Sequence, residues 1–422
     1  MIQTKTFRSP LSPASCRLLL AAMMLCGIAH KASAAQLVYL DFDTFTSVDG
    51  YAYTPADKAL IKFGLESIYG PPAAFGITFT TTAPGGSHSN VYFNFGVGPY
   101  GGTSDHIDFH NSDDEDDAYV LAPPVLSSYG VPVTPSNIVR ASTNLAAHEL
   151  GHILGLRHYD SFGPPLGGMP AGIAGSFVPA YPGPNAASST SKHIMSLSSG
   201  VSLSAGTIIA GDLHLGFREA IKVKMMEVMP DAETPAIKTP MTAQPMSFSP
   251  LTVPNTMMGF PDGAVFSSPT YTVLVDSIEG TLSPDPDAPL GSPVLTDYYT
   301  FSGAKDEVVT IEVMSSILSW RFADITDPVV FLLDSVGLPV GTYYTNNDEH
   351  ESTDSLLWDI TLPYTGSYII EVGPLSPLDP MMAGAYDLFV YRYSPIPEPS
   401  SWVLAALGAV ALFCVRRRMK AG

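Results

Sequence analysis

Apolar positions in the first third of the chain follow two different periods. One series recurs every three to four residues, as in an amphipathic helix that begins at Thr54-Pro55 and ends at Gly70-Pro71. Its members are Leu60, Ile61, Leu65 and Ile68. Short apolar runs at 37–42, 77–81, 90–95 and 118–122 instead predict strands. We therefore expect a small sheet and one helix to precede residue 148.

The second half of the chain changes from a helical pattern to proline-rich sequence and then to short β-type runs. Residues 215–227 have the pattern of a helix that closes the first domain. Prolines then recur from 230 to 254, which predicts an extended linker without regular structure over 229–269. Over 270–394, apolar runs separated by turn residues predict an antiparallel β-sandwich. These runs are 298–301, 308–313, 329–333, 367–372 and 386–391.

The N-terminus has the three parts of a secretory signal peptide. Lys5, Arg8 and Arg17 precede an apolar run at 18–29, and the small residues Ala32-Ser33-Ala34 follow it. Positive charge, an apolar stretch and a small-residue cleavage site are what a signal peptidase recognises. We therefore predict that residues 1–34 are removed on export.

Residues 395–422 contain Pro397-Glu398-Pro399, an apolar run at 402–415 and Arg416-Arg417-Arg418. The apolar run is shorter than the roughly 20 residues that a stable transmembrane helix needs, and the arginines favour a cytoplasmic end. This arrangement resembles the PEP-CTERM sorting signal. The resemblance implies removal by an exosortase in a Gram-negative bacterium that makes extracellular polysaccharide, whose matrix is then a possible partner. A plain tail anchor is the alternative interpretation.

Charge and cysteine content narrow the choice of partners. Of the 20 basic and 40 acidic residues, eight basic residues and no acidic residue lie in 1–34 or after Pro399. The mature chain would carry 12 basic and 40 acidic residues, a formal charge of −28, which argues against a nucleic-acid partner. Cys16, Cys26 and Cys414 all lie in the end segments, so no disulfide is expected. The first strand follows the cleavage site closely, which leaves no room for a propeptide.

The stretch from His148 to His158 reads His-Glu-Leu-Gly-His-Ile-Leu-Gly-Leu-Arg-His. Because His148 and His152 are four residues apart, both imidazoles lie on one face of a helix and can reach one ion. His158 can join them only if the helix stops first. Gly155 supplies the stop, since glycine adopts the left-handed conformation without a Cβ penalty. Three imidazoles leave a fourth position for water, as in a catalytic zinc site.

Glu149 adds the group that makes this pattern catalytic. It can act as the general base on the zinc-bound water, while the ion lowers the pKa of that water and polarises a scissile carbonyl. The implied reaction is hydrolysis of a peptide bond. The three histidines, Glu149 and Gly155 resemble the motif of the metzincin zinc endopeptidases, to which the matrixins belong.

The resemblance implies a methionine turn beneath the metal. Met195, in Ile194-Met195-Ser196, is the candidate, although Met169 also follows the motif and methionine is a common core residue. Leu197 stands where the family often has a tyrosine, so the role of that tyrosine is unassigned. Residues 161–192 are rich in glycine and proline and correspond by resemblance to the specificity loop, with a disordered insertion as the alternative.

The fold class expected from these observations is an α+β metzincin-like catalytic domain followed by an all-β sandwich domain. The catalytic domain, a twisted sheet plus the zinc-binding helix, would occupy residues 35–228. Short motifs in residues 270–394 resemble the bacterial pre-peptidase C-terminal domain, which implies a non-catalytic module that aids secretion or substrate contact. Both the order and the spacing of these motifs carry the resemblance.

Two further metal sites are conceivable from the sequence. Calcium could bind the acidic run 113–117, because clustered carboxylates suit a hard cation, although a solvated charge run is the favoured interpretation. Asn347, Asp348 and Asp354 are weaker calcium candidates that turn chemistry also explains. His106, Asp108 and His110 would share one side of a strand and could hold a structural zinc, or they could be surface residues.

The function that best unites these features is an exported zinc-dependent metalloendopeptidase acting on protein or peptide substrates. His148, His152 and His158 would hold zinc, Glu149 would activate the water, and Met195 would underlie the site. The alternative is an exported matrix or adhesion protein that keeps a zinc site but does not cleave.

Overall fold

The computed structural model of the protein describes residues 36–394 apart from short internal gaps. The gaps are residues 47–48, 96–100, 164, 171, 186–189, 198–203, 235–238, 259–267, 284–295, 350 and 380–381. The predicted signal peptide and the C-terminal segment 395–422 lie outside the described residues. Within the described part of the chain, no helix combines the length and the hydropathy that crossing a membrane requires.

The first half of the chain forms a five-stranded sheet. Its strands are β1 (Gln36–Asp41), β2 (Ile77–Thr80), β3 (Ser89–Phe93), β4 (Gly102–Ser104) and β5 (Asp117–Val120). They are ordered β2-β1-β3-β5-β4. The first four in this order are parallel to their neighbours, whereas β4 runs antiparallel to β5 at the edge.

Six helices accompany this sheet. They are α1 (Pro55–Tyr69), α2 (Pro72–Phe75), α3 (Ala122–Ser128), α4 (Pro135–Ile153), α5 (Ala205–Ile208) and α6 (Phe217–Met225). Helix α1 begins as predicted, because Thr54 accepts from the backbone N–H of Asp57 and the Asp57 carboxylate accepts in return. Helix α6 lies within the closing helix predicted at 215–227.

The second half of the chain forms two sheets that face each other. The strands are β9 (Thr270–Leu282), β10 (Asp297–Gly303), β11 (Val308–Met314), β12 (Pro328–Asp334), β13 (Thr345–Asn346), β14 (Ser355–Thr361), β15 (Gly366–Pro374) and β16 (Gly384–Tyr393). One sheet has the order β13-β12-β15-β10, and the other has the order β14-β11-β16-β9. Each of the five apolar runs predicted as strands lies inside one of these strands.

The predicted linker is not an unstructured spacer. It contributes the strands β6 (Asp231–Ala232), β7 (Gln244–Pro245) and β8 (Ser249–Pro254). Strand β8 pairs antiparallel with β9 from Ser249 to Pro254, and Leu251 and Val253 point into the core while Pro250 and Thr252 are exposed. Edge strands tolerate proline because their outward N–H groups need no partner. The expectation of a segment without regular structure is therefore wrong for these strands.

The two halves of the chain share their hydrophobic cores. Phe217 of α6 lies 5.0 Å from Tyr271 of β9 and 5.1 Å from Tyr393 of β16, measured between ring centroids. In the second core, Trp358 of β14 contacts the rings of Tyr159 and Phe162, which directly follow the histidine motif. Each half therefore buries apolar surface that the other half supplies.

Candidate metal centre

Helix α4 carries the first two histidines of the motif into the protein interior. Its N-terminus is capped by Thr134, whose side chain accepts from the backbone N–H of Asn137. Every residue from Ala141 to Ile153 is buried, and His148 and His152 are 3% and 8% exposed. Their rings lie 4.9 Å apart on one face of the helix, as the four-residue spacing requires.

The chain turns sharply after α4 and returns the third histidine. Gly155 has a φ of 87°, and its N–H donates to the carbonyl of His152, while the N–H of Leu156 donates to that of Gly151. This pair of bonds is a Schellman motif, which requires a left-handed residue at this position. A Cβ on Gly155 would also lie 2.8 Å from the Cα of Phe109. Glycine is therefore required both by conformation and by space.

The three motif histidines converge. One ring nitrogen from each of His148, His152 and His158 lies within 4.8 Å of the others. The Nδ1 atoms of His148 and His152 are each 2.9 Å from a backbone carbonyl, of Ile194 and Leu156 respectively. A carbonyl oxygen can only accept, so these Nδ1 atoms carry the hydrogen and both Nε2 lone pairs remain for a metal.

Burial keeps the imidazoles of His148 and His152 neutral. Desolvation, followed by the neighbouring histidines, lowers the pKa of His148 well below its ordinary value and that of His152 to about 3. Neutral imidazole is the form that binds a metal. Three imidazole nitrogens from a helix and a following turn are a donor set that zinc prefers, so the residues present fit a zinc ion.

Glu149 lies beside these histidines and is 6% exposed. Burial alone raises its pKa to about 8, so its carboxylate holds a proton more strongly than an ordinary glutamate. Gly102, in the edge strand β4, lies directly against it, because a Cβ on Gly102 would collide with the Glu149 carboxyl group. No local sequence pattern indicates that β4 and Glu149 lie next to each other.

Met195 lies directly beneath helix α4. It is fully buried in a 3₁₀ turn, Ile194–Leu197, and a Cβ on Gly151 would lie 2.5 Å from its Sδ. The backbone N–H of Met195 donates to the buried carboxylate of Glu219 at 2.8 Å. Met169, the other methionine weighed for this position, lies in the second core instead.

Residues from the second half of the chain meet the motif at its end. The His158 ring hydrogen-bonds to Glu351, and Arg157 is fully buried against acidic residues of the same loop. Burial favours the neutral form of Glu351, but the hydrogen bond and electrostatic interaction with His158, together with Arg157, outweigh it and lower the pKa of Glu351 to about 2. About 190 residues separate these partners in sequence, so no local pattern could reveal them.

The second zinc site considered from sequence is not formed. Residues 105–111 are a loop rather than a strand. His106 Nε2 lies 3.0 Å from Asp116, His110 Nε2 lies 2.8 Å from the Ser277 hydroxyl, and Asp108 accepts from the backbone of Asp113. Because this segment is not a strand, its alternate side chains do not have to point to the same side, and His106, Asp108 and His110 each contact a different partner.

The calcium candidates are likewise used in other ways. Asp354 accepts from the backbone N–H groups of Ser315 and Ser316 and forms an ion pair with Arg157 at 3.1 Å. Among the described residues, the three motif histidines are the one group of three or more histidine or acidic side chains arranged to hold a metal. Asp113 to Asp117 do not form such a group.

The segment predicted as a specificity loop packs on the sheets of the second half of the chain. Phe177 and Tyr181 are buried in the second core, and the backbone of Val178 pairs with that of Asp348. The alternative of a disordered insertion is therefore wrong for residues 165–170 and 172–185 of this segment. Apolar side chains within a glycine-rich and proline-rich sequence supply the contacts.

Comparison with known proteins identifies the C-terminal segment. Residues 395–418 match the family model of the PEP-CTERM protein-sorting motif. The chain thus carries a sorting signal that implies export, C-terminal membrane anchoring and processing by an exosortase. The sequence has no significant match among curated proteins.

Solved structures show only slight similarity to this chain. They include PliG, a periplasmic lysozyme inhibitor of g-type lysozyme, from Aeromonas hydrophila and from Salmonella Typhimurium. Both are 14% identical over 28% of this chain, with matches to 86% and 87% of their own length and TM-scores of 0.18. A family two carbohydrate esterase from Cellvibrio japonicus is 11% identical over 30% of this chain and 36% of its own, with a TM-score of 0.17. Similarity this low bears on neither fold nor function.

Proposed function

We propose that the protein is an exported zinc-dependent endopeptidase, with a metzincin-like catalytic region in residues 35–228. The observation that carries the proposal is the convergence of His148, His152 and His158 beside the buried Glu149. A structural zinc site is closed by four protein ligands. Three histidines with an adjacent carboxylate are instead the composition of a hydrolytic site.

His148, His152 and His158 would hold the zinc ion through their Nε2 atoms. When bound, zinc lowers the pKa of water and polarises a carbonyl group. Glu149 would accept the proton of the attacking water and return it to the leaving amine. Its raised pKa makes it a better proton acceptor than an exposed glutamate, while a cation held by the three histidines would favour its ionised form.

The edge strand β4 offers a binding surface for an extended peptide. In the described residues it pairs with β5 alone, so its other edge has no partner strand there. An extended chain can add to such an edge through main-chain hydrogen bonds that depend little on sequence. Because Gly102 of β4 lies against Glu149, a peptide added there would pass next to the general base.

Metal dependence provides a direct test of this proposal. Purified residues 35–394 are expected to bind one zinc per chain and to cleave an unfolded protein. Removal of zinc by a chelator should abolish cleavage, and added zinc should restore it. The variant His152→Ala should lose both zinc and cleavage, whereas His88→Ala, a partly exposed histidine that packs against Tyr39, should keep both. Zinc binding without any cleavage would support the non-catalytic matrix protein instead.

A further inference from the structure

His158 is held differently from the other two motif histidines. His148 and His152 donate to backbone carbonyls of their own half of the chain. His158 instead donates from Nδ1 to the Oε1 atom of Glu351, and its backbone N–H donates to Oε2 of the same carboxylate at 3.2 Å. One carboxylate therefore fixes both the ring and the main chain of His158.

Glu351 belongs to a loop of the β-sandwich that is itself fixed in place. Within the loop, the N–H of Glu351 donates to the carboxylate of Glu349 at 2.8 Å, and the N–H of Glu349 donates to the carbonyl of Asp354 at 2.8 Å. The Asp354 carboxylate accepts from Ser315 and Ser316, at the end of β11. The loop thus presents Glu351 from a rigid part of the sandwich.

Arg157 ties this loop to the histidine motif. Its guanidinium is fully buried and contacts the carboxylates of Glu349 and Asp354 and the hydroxyl of Ser352. A buried charge that loses its partner is strongly destabilising, so the motif and the loop are held together. Because Arg157 directly precedes His158 in the chain, this contact also fixes the position of the His158 backbone.

We propose that Glu351 is a positioning residue that orients the His158 imidazole toward the metal, so that the β-sandwich completes the zinc site. This inference rests on the proposed function, because it assumes that the three histidines hold zinc. A carboxylate on the Nδ1 hydrogen fixes the tautomer and the ring orientation and strengthens the Nε2 donor. The sandwich is then part of the metalloenzyme rather than a separable accessory module.

The test uses residues 35–394 and measures zinc affinity by competition with a chromogenic chelator. Glu351→Ala is expected to weaken zinc binding about 10- to 100-fold, the usual effect of losing such a partner. Glu351→Gln should lose less, because its amide oxygen can still accept from Nδ1. Glu279→Gln, an exposed glutamate of β9, serves as the matched control and should bind zinc like the parent protein.

A double-mutant cycle separates positioning from a general loss of structure. In a His158→Ala background, Glu351→Gln should have no further effect on zinc affinity, since the group it orients is gone. The cobalt-substituted protein should show an altered visible spectrum in Glu351→Gln but not in Glu279→Gln.

The possible outcomes are distinct for the two proposals. Equal zinc affinity in the parent protein and both Glu351 variants would overturn the positioning role and leave the proposed peptidase intact. Additive effects of the two substitutions would also overturn it. If the parent protein binds no zinc, both proposals are lost. If Glu351→Ala fails to fold, the Glu351→Gln variant decides the question alone.

Discussion

At the scale of single residues, the motif was predictable because its requirements are local. The spacing of His148 and His152 and the conformational freedom of Gly155 follow from helix geometry, and the structure places each accordingly. Arg157 shows the limit of this reasoning. The sequence shows only that an arginine follows an apolar stretch. Its burial depends on the carboxylates of Glu349 and Asp354, which lie in a loop distant in sequence.

Asp116 is a residue whose environment was also hidden in the sequence. Burial, followed by the charges of Asp108 and Asp113, raises its pKa from 3.8 to about 8. The unfolded chain keeps the ordinary value, so the cost of ionising Asp116 in the folded state is absent below a pH of about 3.8, builds up between the two pKa values and persists in full above pH 8. The cost grows as the pH rises toward 8.

Replacing this carboxyl by an amide should remove the pH-dependent cost. We expect Asp116→Asn to raise the free energy of unfolding by about 1 to 2 kcal/mol at pH 8 and to leave it nearly unchanged at pH 3.5. Urea unfolding of both proteins in calcium-free buffer at the two pH values measures the difference. A difference of the same size at both pH values would refute the assignment. Stabilisation of the parent protein alone by added calcium would revive a calcium site at Asp116.

At the scale of elements, alternation and helical period identified most of the regular structure. The five predicted strand runs of the sandwich and helix α6 lie where they were expected. The prediction of an unstructured linker is wrong for β8 because Pro250, which was interpreted as a breaker, lies on the exposed side of this edge strand. Leu251 and Val253 are only two alternating apolar residues, which is too short a pattern to predict a strand. The strand is evident only from its pairing with β9.

Strand β8 offers a matched pair of substitutions. Val253 is fully buried, whereas Thr252 on the same strand is exposed. Val253→Asp should destabilise the protein by about 3 kcal/mol or more, because an unpaired charge would enter the core. It should also open the segment to proteolysis, whereas Thr252→Asp should change neither property. Rapid cleavage of the parent protein within 249–254 would contradict the strand assignment.

At the scale of the whole molecule, the two halves are joined more closely than the sequence suggested. The composition predicted two modules with a spacer, since each half has its own apolar pattern. The structure instead shares both cores between them, through Phe217 and Tyr271 in one and through Tyr159 and Trp358 in the other. Such long-range contacts leave no periodic trace in the sequence. The sorting signal, by contrast, is a local pattern and was confirmed.

A fragment limited to residues 35–228 should therefore not fold as the full chain does. It would expose the face of Phe217 that packs on β9 and β16, and Arg157 and Lys222 would lose their partners in the sandwich. We expect a compact state with weak near-ultraviolet circular dichroism and no cooperative unfolding. Residues 35–394 provide the control. A fragment with a sharp unfolding transition would show that the halves are independent.

The proposed peptidase mechanism depends most on Glu149 as the general base. The most direct measurement compares the rate at which zinc-loaded residues 35–394 and the Glu149→Gln variant cleave an unfolded protein, with zinc content determined for both. We predict equal zinc content and a rate at least about 100-fold lower in the variant, because an amide cannot accept the proton. Equal cleavage rates, or no cleavage by the zinc-loaded parent protein, would contradict this mechanism.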